Sequence, residues 1–414
     1  RARGRRGKHH RPLPRDIDER RLIRARRRTE ERRGSGGEYR HAKGSECQAG
    51  PRERAESYRR QPGNARVPAT MSEVLGFLLA LGITAVAIPM LARAARGWGL
   101  LAHPGQRRSH DGAVPTIGGL AMGAAFLAAY AFTGLAASLS PLLAIAVAIT
   151  LAGGVLDDRH ELRSLPKFGF QIAAAALLAA SGDALLSHLG YLMSPALFTL
   201  GRWAIPLTVF ALVGVMNAIN MSDGLDGLAG ALALAACVNF GGAASLGGHA
   251  PEFAVISIAA GAAVGFLYFN ARMPWRGQAA VFMGDTGSLL LGLLLGWFAV
   301  RLAMTERPAL APITAVWILA LPIGDTVTLL VRRTLRGRNP FHADRHHLHH
   351  ILVALGLSSA QTTALLFAIA LALGLAAIAA EQLGVPQYAM FYAYITALIA
   401  HGFAAEFACK KFNL

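Results

Sequence analysis

The chain has 414 residues, of which 54% are hydrophobic and only 16% are charged, and its formal net charge is +17 at pH 7. Soluble proteins carry about 25% charged residues, and apolar runs of about 20 residues recur here, so the composition excludes a chain of two or three soluble domains. The three cysteines, Cys47, Cys237 and Cys409, lie far apart, which excludes a disulfide framework and the usual cysteine metal motifs.

Most of the positive charge lies in the first 70 residues. Residues 1–70 hold 22 Lys and Arg against 9 Asp and Glu, whereas the remaining 344 residues have a net charge of only +4. Such a tail can bind nucleic acid or anionic lipid. The first methionine, however, is Met71, immediately before the first apolar segment. We therefore expect residues 1–70 to be a disordered or non-native upstream extension without a nucleic-acid partner, and residues 71–414 to form a polytopic membrane domain.

Eleven apolar segments follow Met71, and each is long enough, or nearly so, to cross about 30 Å of hydrocarbon as a helix. Backbone groups in lipid must be paired within the chain, which favours helices. The sequence therefore predicts an all-α integral membrane bundle of about eleven transmembrane helices. They lie near residues 74–92, 117–137, 140–156, 168–182, 203–219, 228–247, 253–269, 286–303, 311–331, 361–380 and 387–408.

The orientation follows from the distribution of Lys and Arg. Of the 19 Lys and Arg after residue 70, 16 fall in one alternating set of loops and only Arg202, Arg301 and Arg307 fall in the other. The positive-inside rule places the first set in the cytoplasm. The polar motifs described next all lie on that side, so we expect an active site in cytoplasmic loops.

The first motif is a pair of carboxylates, Asp157 and Asp158, at the end of the third apolar segment. Carboxylates beside hydrocarbon are costly, and they are usually functional. Such a pair can bind Mg²⁺ or supply one base beside one electrostatic group. The alternative is a pair of solvated charges at a helix end, although a helix C-terminus disfavours anions.

The second motif follows the fifth segment and contains Asn217, Asn220, Asp223 and Asp226. A helical turn would place Asp223 and Asp226 on one face, and the adjacent glycines allow close approach of backbone to a ligand. An ordinary Asx/Gly turn between helices is the alternative. The number of Asn and Asp side chains favours a binding site.

The third motif, Phe282 to Ser288, opens the eighth segment, where a helix N-terminus attracts anions such as phosphate. Asp285 within it can be a functional carboxylate or an N-cap. Asp325 lies inside the ninth segment, about 10 Å along a helix from Arg332. It can be functional, or it can pair with that arginine or hydrogen-bond to a neighbouring helix.

The last motif is histidine-rich and follows the ninth segment. On a helix, His346, His349 and His350 would share a face, and they follow Arg345. Histidine clusters often bind transition metals. No thiolate accompanies these, and several basic residues surround them, so we favour a cationic site for a pyrophosphate over a zinc site.

Taken together, these residues resemble the polyprenyl-phosphate N-acetylhexosamine-1-phosphate transferases, the superfamily of WecA/TagO-type enzymes and of MraY. The resemblance covers essentially all of residues 71–414. Asp344 and Arg345 before the histidines favour the WecA side, while Ala102 stands where most WecA-like sequences carry an Asp. The motifs that carry the resemblance are Pro104 with Arg107, Arg108 and His110, then residues 115–119, Asp157 with Asp158, residues 217–227, residues 282–288, Asp325 and residues 346–350.

The resemblance implies the reaction. A phosphate oxygen of undecaprenyl phosphate attacks the β-phosphorus of a UDP-sugar, and UMP leaves, with Mg²⁺ (or Mn²⁺) as cofactor. UDP-GlcNAc is the expected donor, and initiation of a cell-surface polysaccharide is the expected role. The implied location is a bacterial cytoplasmic membrane with lipid around the chain, and a homodimer stays open.

The resemblance also implies roles for the residues. Asp157, Asp158 and Asp285 would be catalytic, and Asp285, Asp157 and Asp223 would be the candidate metal ligands. Asp223 and Asp226 would hold the nucleoside, with Phe282 stacked on uracil, and the histidines with Arg345 would contact the pyrophosphate. The expected substrate-binding residues are Asn217, Asn220, Asp223, Asp226, Phe282, Arg107, His110, Lys167, Arg345, His346, His349 and His350.

Three alternatives differ in what they require. A phospho-MurNAc-pentapeptide transferase like MraY would use another UDP-sugar. A cation- or proton-coupled transporter would place its carboxylates near the bilayer midplane, as only Asp325 does. A zinc-dependent intramembrane hydrolase would lose activity to a chelator and regain it with Zn²⁺ alone.

Overall fold

A computed structural model describes residues 69–102, 113–193, 196–337 and 347–412, and this part of the chain is almost wholly helical. The residues predicted as an upstream extension lie outside it, apart from the last two. The helices are α1 (Ala69–Trp98), α2 (Gly118–Phe132), α3 (Leu135–Ser138), α4 (Pro141–His160), α5 (Ser164–Ala180), α6 (Ala204–Ser222), α7 (Leu228–Leu246), α8 (Ala250–Asn270), α9 (Gly284–Ala303), α10 (Pro312–Ile318), α11 (Ala320–Leu335), α12 (Leu348–Ala354), α13 (Ser359–Gln382) and α14 (Gln387–Phe412).

Nine of the eleven apolar segments predicted to span the membrane each coincide with one helix, whereas 117–137 covers α2 and α3 and 311–331 covers α10 and α11. Eight helices in the described part are long and apolar enough to cross, and α10 with α11, which are bent by 84° at their junction, would make a ninth. The two remaining helices, α2 and α5, have 15 and 17 residues. The prediction of an all-α, multi-pass membrane protein is therefore confirmed, while the count of eleven spans stays a prediction.

Two helix starts follow from capping residues in the sequence. The Ser140 hydroxyl accepts the backbone N–H groups of Leu142 and Leu143, and Pro141 occupies the first position of α4. At α13, Ser358 and Gln361 form a reciprocal capping box. These caps place the starts of α4 and α13 near the boundaries that hydropathy predicts.

The innermost helix of the bundle is α9. In the apolar stretch of α9, 89% of the residues are buried inside the bundle. In the apolar stretch of α14, which lies at the periphery, the buried share is 17%. Its neighbours include α2, α4, α6 and α7, and the large side chains Trp297 and Phe298 are fully buried within it. Residues at the start of α9 are consequently surrounded by other helices.

Glycines let two helices approach the first turn of α9 closely. A Cβ atom added to Gly119 in α2 would overlap the backbone of Gly287, and one added to Gly154 in α4 would overlap the Cα atom of Thr286. Only glycine allows this backbone contact. The ends of α2 and α4 are therefore held against the segment that contains Asp285.

A short β pair departs from the all-α prediction. Strands β1 (Leu101–Ala102) and β2 (Val114–Pro115) are antiparallel, with Leu101 opposite Pro115 and Ala102 opposite Val114. The backbone N–H of Phe282 donates to Pro115 O at 2.8 Å. Two-residue strands carry no detectable periodicity, which is why the sequence pattern missed them.

Candidate functional site

The start of α9 is capped by a carboxylate from another helix. Asp158, in the last turn of α4, accepts the backbone N–H of Asp285 at 2.7 Å, the N–H of Thr286 at 3.1 Å and the Thr286 hydroxyl at 2.6 Å. Gly284, with φ +68°, leaves room for this approach, since an added Cβ would meet the Asp158 carboxylate. An anion at a helix N-terminus is electrostatically favourable. Asp158 therefore fixes the position of α9 relative to α4.

Two carboxylates meet at one lysine. The Lys167 ammonium, near the start of α5, lies 2.7 Å from Asp157 Oδ2 and 2.6 Å from Asp285 Oδ2. Asp157 is only 6% exposed, and its other oxygen accepts the backbone N–H of Leu162 at 2.9 Å. Two carboxylates that face one position repel each other, and a cation between them relieves that repulsion. The structure thus brings together three of the predicted site residues.

Asn220 extends this cluster to α6. Its amide nitrogen donates a short hydrogen bond to Asp285 Oδ1 and another, of 2.8 Å, to the Ser288 hydroxyl. Asn217 lies one turn earlier and instead donates to Gln171 Oε1 at 2.6 Å, on α5. Asn220 is therefore the asparagine that reaches the carboxylates, while Asn217 joins α6 to α5 through a glutamine that the sequence reading did not single out.

The prediction that Asp223 and Asp226 share a helical face is wrong. Helix α6 ends at Ser222, because the chain turns at the glycine-rich segment that follows. Asp223 is exposed at this helix end. Asp226 accepts from Arg272 Nε at 2.8 Å, which adds a basic residue that sequence reasoning missed.

Phe282 lies between β2 and α9 and is half-buried. Its carbonyl accepts the N–H of Gly118 at 3.0 Å. Backbone hydrogen bonds thus join the motif at residues 282–288 to the motif at residues 115–119. Stacking on uracil stays a prediction.

The histidine motif is arranged differently from the predicted shared face. Helix α12 begins only at Leu348, so His346 would precede it, and His347 is the N-cap residue. His347 Nδ1 lies 2.8 Å from Asp325 Oδ2, and the N–H of Leu348 donates to Asp325 Oδ1 at 2.9 Å. Asp325 thus pairs with a histidine that the sequence reading did not select, and Arg332 pairs with Glu406 instead.

His349 is buried against the turn after α6. Its side chain is 3% exposed, and a Cβ atom on Gly224 would overlap its ring at Nε2. Burial, followed by the neighbouring imidazoles of His350 and His347, lowers the pKa of His349 to about 3. His349 is therefore neutral at pH 7, which speaks against direct charge neutralisation of a pyrophosphate by this residue.

Four predicted substrate-binding residues, Arg107, His110, Arg345 and His346, lie outside the described residues.

The residues present fit a divalent metal. Asp157 and Asp285 present carboxylate oxygens to one cationic position, and Mg²⁺ prefers such hard oxygen ligands. Asp223, the third predicted ligand, lies three residues after Asn220 along the chain and is exposed.

Comparison with known proteins agrees with this picture. The family model described as "Glycosyl transferase family 4" matches residues 139–303, which contain both Asp157 and Asp285. An undecaprenyl-phosphate alpha-N-acetylglucosaminyl 1-phosphate transferase of Haemophilus influenzae is 32% identical over 307 residues, covering 72% of this chain and 83% of that protein. The enzyme of the same name from Escherichia coli K12 is 30% identical over 325 residues, covering 77% and 87%. The chain therefore belongs to the polyprenyl-phosphate N-acetylhexosamine-1-phosphate transferase superfamily, on its WecA-type side.

Proposed function

We propose that this protein transfers GlcNAc 1-phosphate from UDP-GlcNAc to undecaprenyl phosphate and releases UMP, as the names of its relatives describe for them. The observation that carries the proposal is the convergence of Asp157, Lys167 and Asp285 at one point, at the ends of three helices. In the reaction, the lipid phosphate oxygen forms a bond to the β-phosphorus of the sugar nucleotide, and the bond from that phosphorus to the oxygen bridging to the α-phosphate breaks.

The residues of the chain supply position and charge rather than covalent chemistry. Asp157 and Asp285 would hold Mg²⁺, with Asp223 as a further candidate and Mn²⁺ as an alternative ion. When bound, the ion would neutralise charge on the pyrophosphate. Lys167 balances the two carboxylates and stays beside them as a donor to phosphate oxygens. Asp157 is already held by Lys167 and by the Leu162 N–H. Its carboxylate would therefore contribute negative charge at the metal position and would not transfer a proton.

The nucleoside would bind near the turn after α6. Asp226 is oriented by Arg272, Asp223 is exposed, and Phe282 is half-buried, so all three can contribute to this pocket. Arg107, His110, Arg345, His346 and His350 remain the proposed contacts of the phosphates. Buried His349 would act indirectly, through Gly224.

Helix directions support eleven crossings. Helices α4 and α6 both end at the carboxylate cluster, so the chain between them must return to the opposite side, and α5 is the segment that can carry it. Helix α2 starts beside Met283, on the side of the cluster, and the next long helix, α4, runs back toward that side. The chain must therefore cross to the opposite side between these two points, and α2 is the segment that can carry it. At 15 and 17 residues, these helices span about 22 and 26 Å.

The cluster would then face the cytoplasm of a bacterium from its inner membrane. Of the 19 Lys and Arg after residue 70, 16 fall in the set of loops that the predicted spans assign to the same side as the cluster. Lipid would surround the bundle, and a homodimer stays untested.

The test is an assay of purified protein with undecaprenyl phosphate and a panel of radiolabelled UDP-sugars. We expect label in the lipid and stoichiometric UMP with UDP-GlcNAc. Transfer only from UDP-MurNAc-pentapeptide would favour the MraY-like alternative. Ion flux in liposomes without any transfer would favour a transporter and contradict the proposal.

A further inference from the structure

A buried glutamine lies one helical turn deeper in the bundle than the carboxylate cluster. Gln171 follows Lys167 by four residues on α5, and residues with this spacing share a helix face. It is only 1% exposed. Gln171 Oε1 accepts the Asn217 amide N–H at 2.6 Å, and Asn217 precedes Asn220 by three residues on α6. Gln171 and Asn217 therefore form a second polar layer next to that of Lys167 and Asn220.

The first layer holds both oxygens of one carboxylate. Lys167 Nζ lies 2.6 Å from Asp285 Oδ2, and the Asn220 amide donates to Asp285 Oδ1. These two donors come from α5 and α6, so the spacing of the two helices determines whether both can reach Asp285. The hydrogen bond between Gln171 and Asn217 joins the same two helices one turn away. It is therefore placed to set that spacing.

The stability of the fold does not explain a glutamine at this position. Gln171 Nε2 is buried and has no hydrogen-bond partner among the described residues, which costs free energy. Asn217 Nδ2 also donates to Val213 O at 2.8 Å, so Asn217 would keep a partner if residue 171 were apolar. A methionine would fill a similar space without an unpaired polar atom. It would lack only the acceptor that joins α5 to α6.

We propose that Gln171 is a positioning residue for the transfer reaction. Through Asn217 it fixes α6 against α5. The spacing of these helices then sets how Lys167 and Asn220 orient the Asp285 carboxylate toward the metal. The inference rests on the proposed function and on the fit of a divalent ion to the carboxylate cluster. The competing explanation is that the hydrogen bond only stabilises the packing of α5 on α6.

The experiment compares Gln171→Met with the unsubstituted full-length protein in three measurements. Mn²⁺ binding, followed by electron paramagnetic resonance without substrate, reports on the metal position. The Mn²⁺ that an Asp285→Asn protein still binds is subtracted, so that other carboxylates do not contribute. Thermal unfolding in EDTA reports the stability, and transfer of label from UDP-GlcNAc gives kcat.

Asn239→Leu is the matched control. Asn239, on α7, is fully buried and donates to Leu371 O on α13 at 3.4 Å, while its Oδ1 has no partner in the part of the chain that the structure describes. It therefore resembles Gln171 as a buried amide between two helices. Neither α7 nor α13 carries a residue of the carboxylate cluster, so we expect this variant to keep the Mn²⁺ affinity and the kcat of the unsubstituted protein.

We expect Gln171→Met to bind Mn²⁺ about 10- to 100-fold more weakly and to lose kcat by a similar factor. Its unfolding temperature should be no lower than that of the unsubstituted protein. Adding Asn217→Leu should weaken Mn²⁺ binding no further, because the two residues act as a pair. This double variant leaves no unpaired amide, so it provides the same test if Gln171→Met fails to fold.

Unchanged Mn²⁺ affinity in Gln171→Met would overturn the proposal. A lowered unfolding temperature, with a loss of Mn²⁺ affinity that Asn239→Leu equals, would overturn it as well, because the role would then be structural. If the unsubstituted protein transfers no label while the Mn²⁺ results hold, the proposed function fails and the positioning role of Gln171 at the metal stands.

Discussion

The carboxylate of Asp158 accepts the backbone N–H of Asp285 across 127 residues of sequence, at 2.7 Å. Because Asp158 caps α9, the Asp285 side chain does not, and it faces Lys167 and Asn220 instead. The two halves of the site, from α4 and from α9, are thereby fixed to each other.

Replacing Asp158 by Ala should destabilise the protein. The substitution leaves the N–H groups of Asp285 and Thr286 at the start of α9 without their acceptor, at a cost of about 1–3 kcal/mol in the free energy of unfolding. Thermal unfolding in detergent checks this. Ser140→Ala, which removes the ordinary cap of α4, serves as a comparison and should cost about 1 kcal/mol. An unchanged unfolding temperature for Asp158→Ala would contradict the capping role.

Replacing Lys167 by Met should make stability depend on divalent ions. Without the ammonium, the carboxylates of Asp157 and Asp285 face each other with no cation, so the unfolding temperature should fall in EDTA. Added Mg²⁺ should restore it further than in the unsubstituted protein. Lys167→Arg, which keeps the charge, is the control. If Mg²⁺ has the same effect on all three proteins, the two carboxylates do not share a cation site.

Gly224→Ala should reduce activity through His349. The new methyl group would overlap the imidazole ring, so either the buried ring or the turn that carries Asp223 and Asp226 must shift, and we expect at least a tenfold loss of kcat/KM. Gly214→Ala is the matched control, because nothing lies within 4 Å of an added Cβ there. Adding His349→Ala should partly relieve the defect in a double-mutant cycle. Additive losses would show that the two residues act independently.

A chain that begins at Met71 should insert into membranes and react like the full chain. The basis is the absence of methionine and of apolar segments from residues 1–70, together with their net positive charge. Transferase activity per mole of inserted protein is the measurement. Loss of activity with normal insertion would assign these residues a function.

Hydropathy was sufficient to predict the long helices, because spans in lipid require apolar residues in continuous runs. It did not predict the break between α10 and α11 or the short helices α3 and α12. It also located the carboxylates of Asp157 and Asp285, since charges at the ends of such runs are conspicuous. Contacts between distant segments could not be predicted in this way. Sequence spacing gave no sign that Lys167 would join the two carboxylates as their shared partner, or that His347 would pair with Asp325. The turn at Asp223 was mistaken for helix because three-residue spacing also suits a glycine-rich turn.

The central claim is that Asp285 holds the metal of a sugar-phosphate transferase. The direct test is UMP release from UDP-GlcNAc and undecaprenyl phosphate, measured against Mg²⁺ concentration for the unsubstituted protein and Asp285→Asn. The amide keeps an oxygen that can accept from Asn220 but loses the negative charge that competes with water for Mg²⁺. We expect turnover to fall by several orders of magnitude, with only partial rescue by excess Mg²⁺. Superimposable curves for the two proteins would contradict the claim and move the metal to other carboxylates.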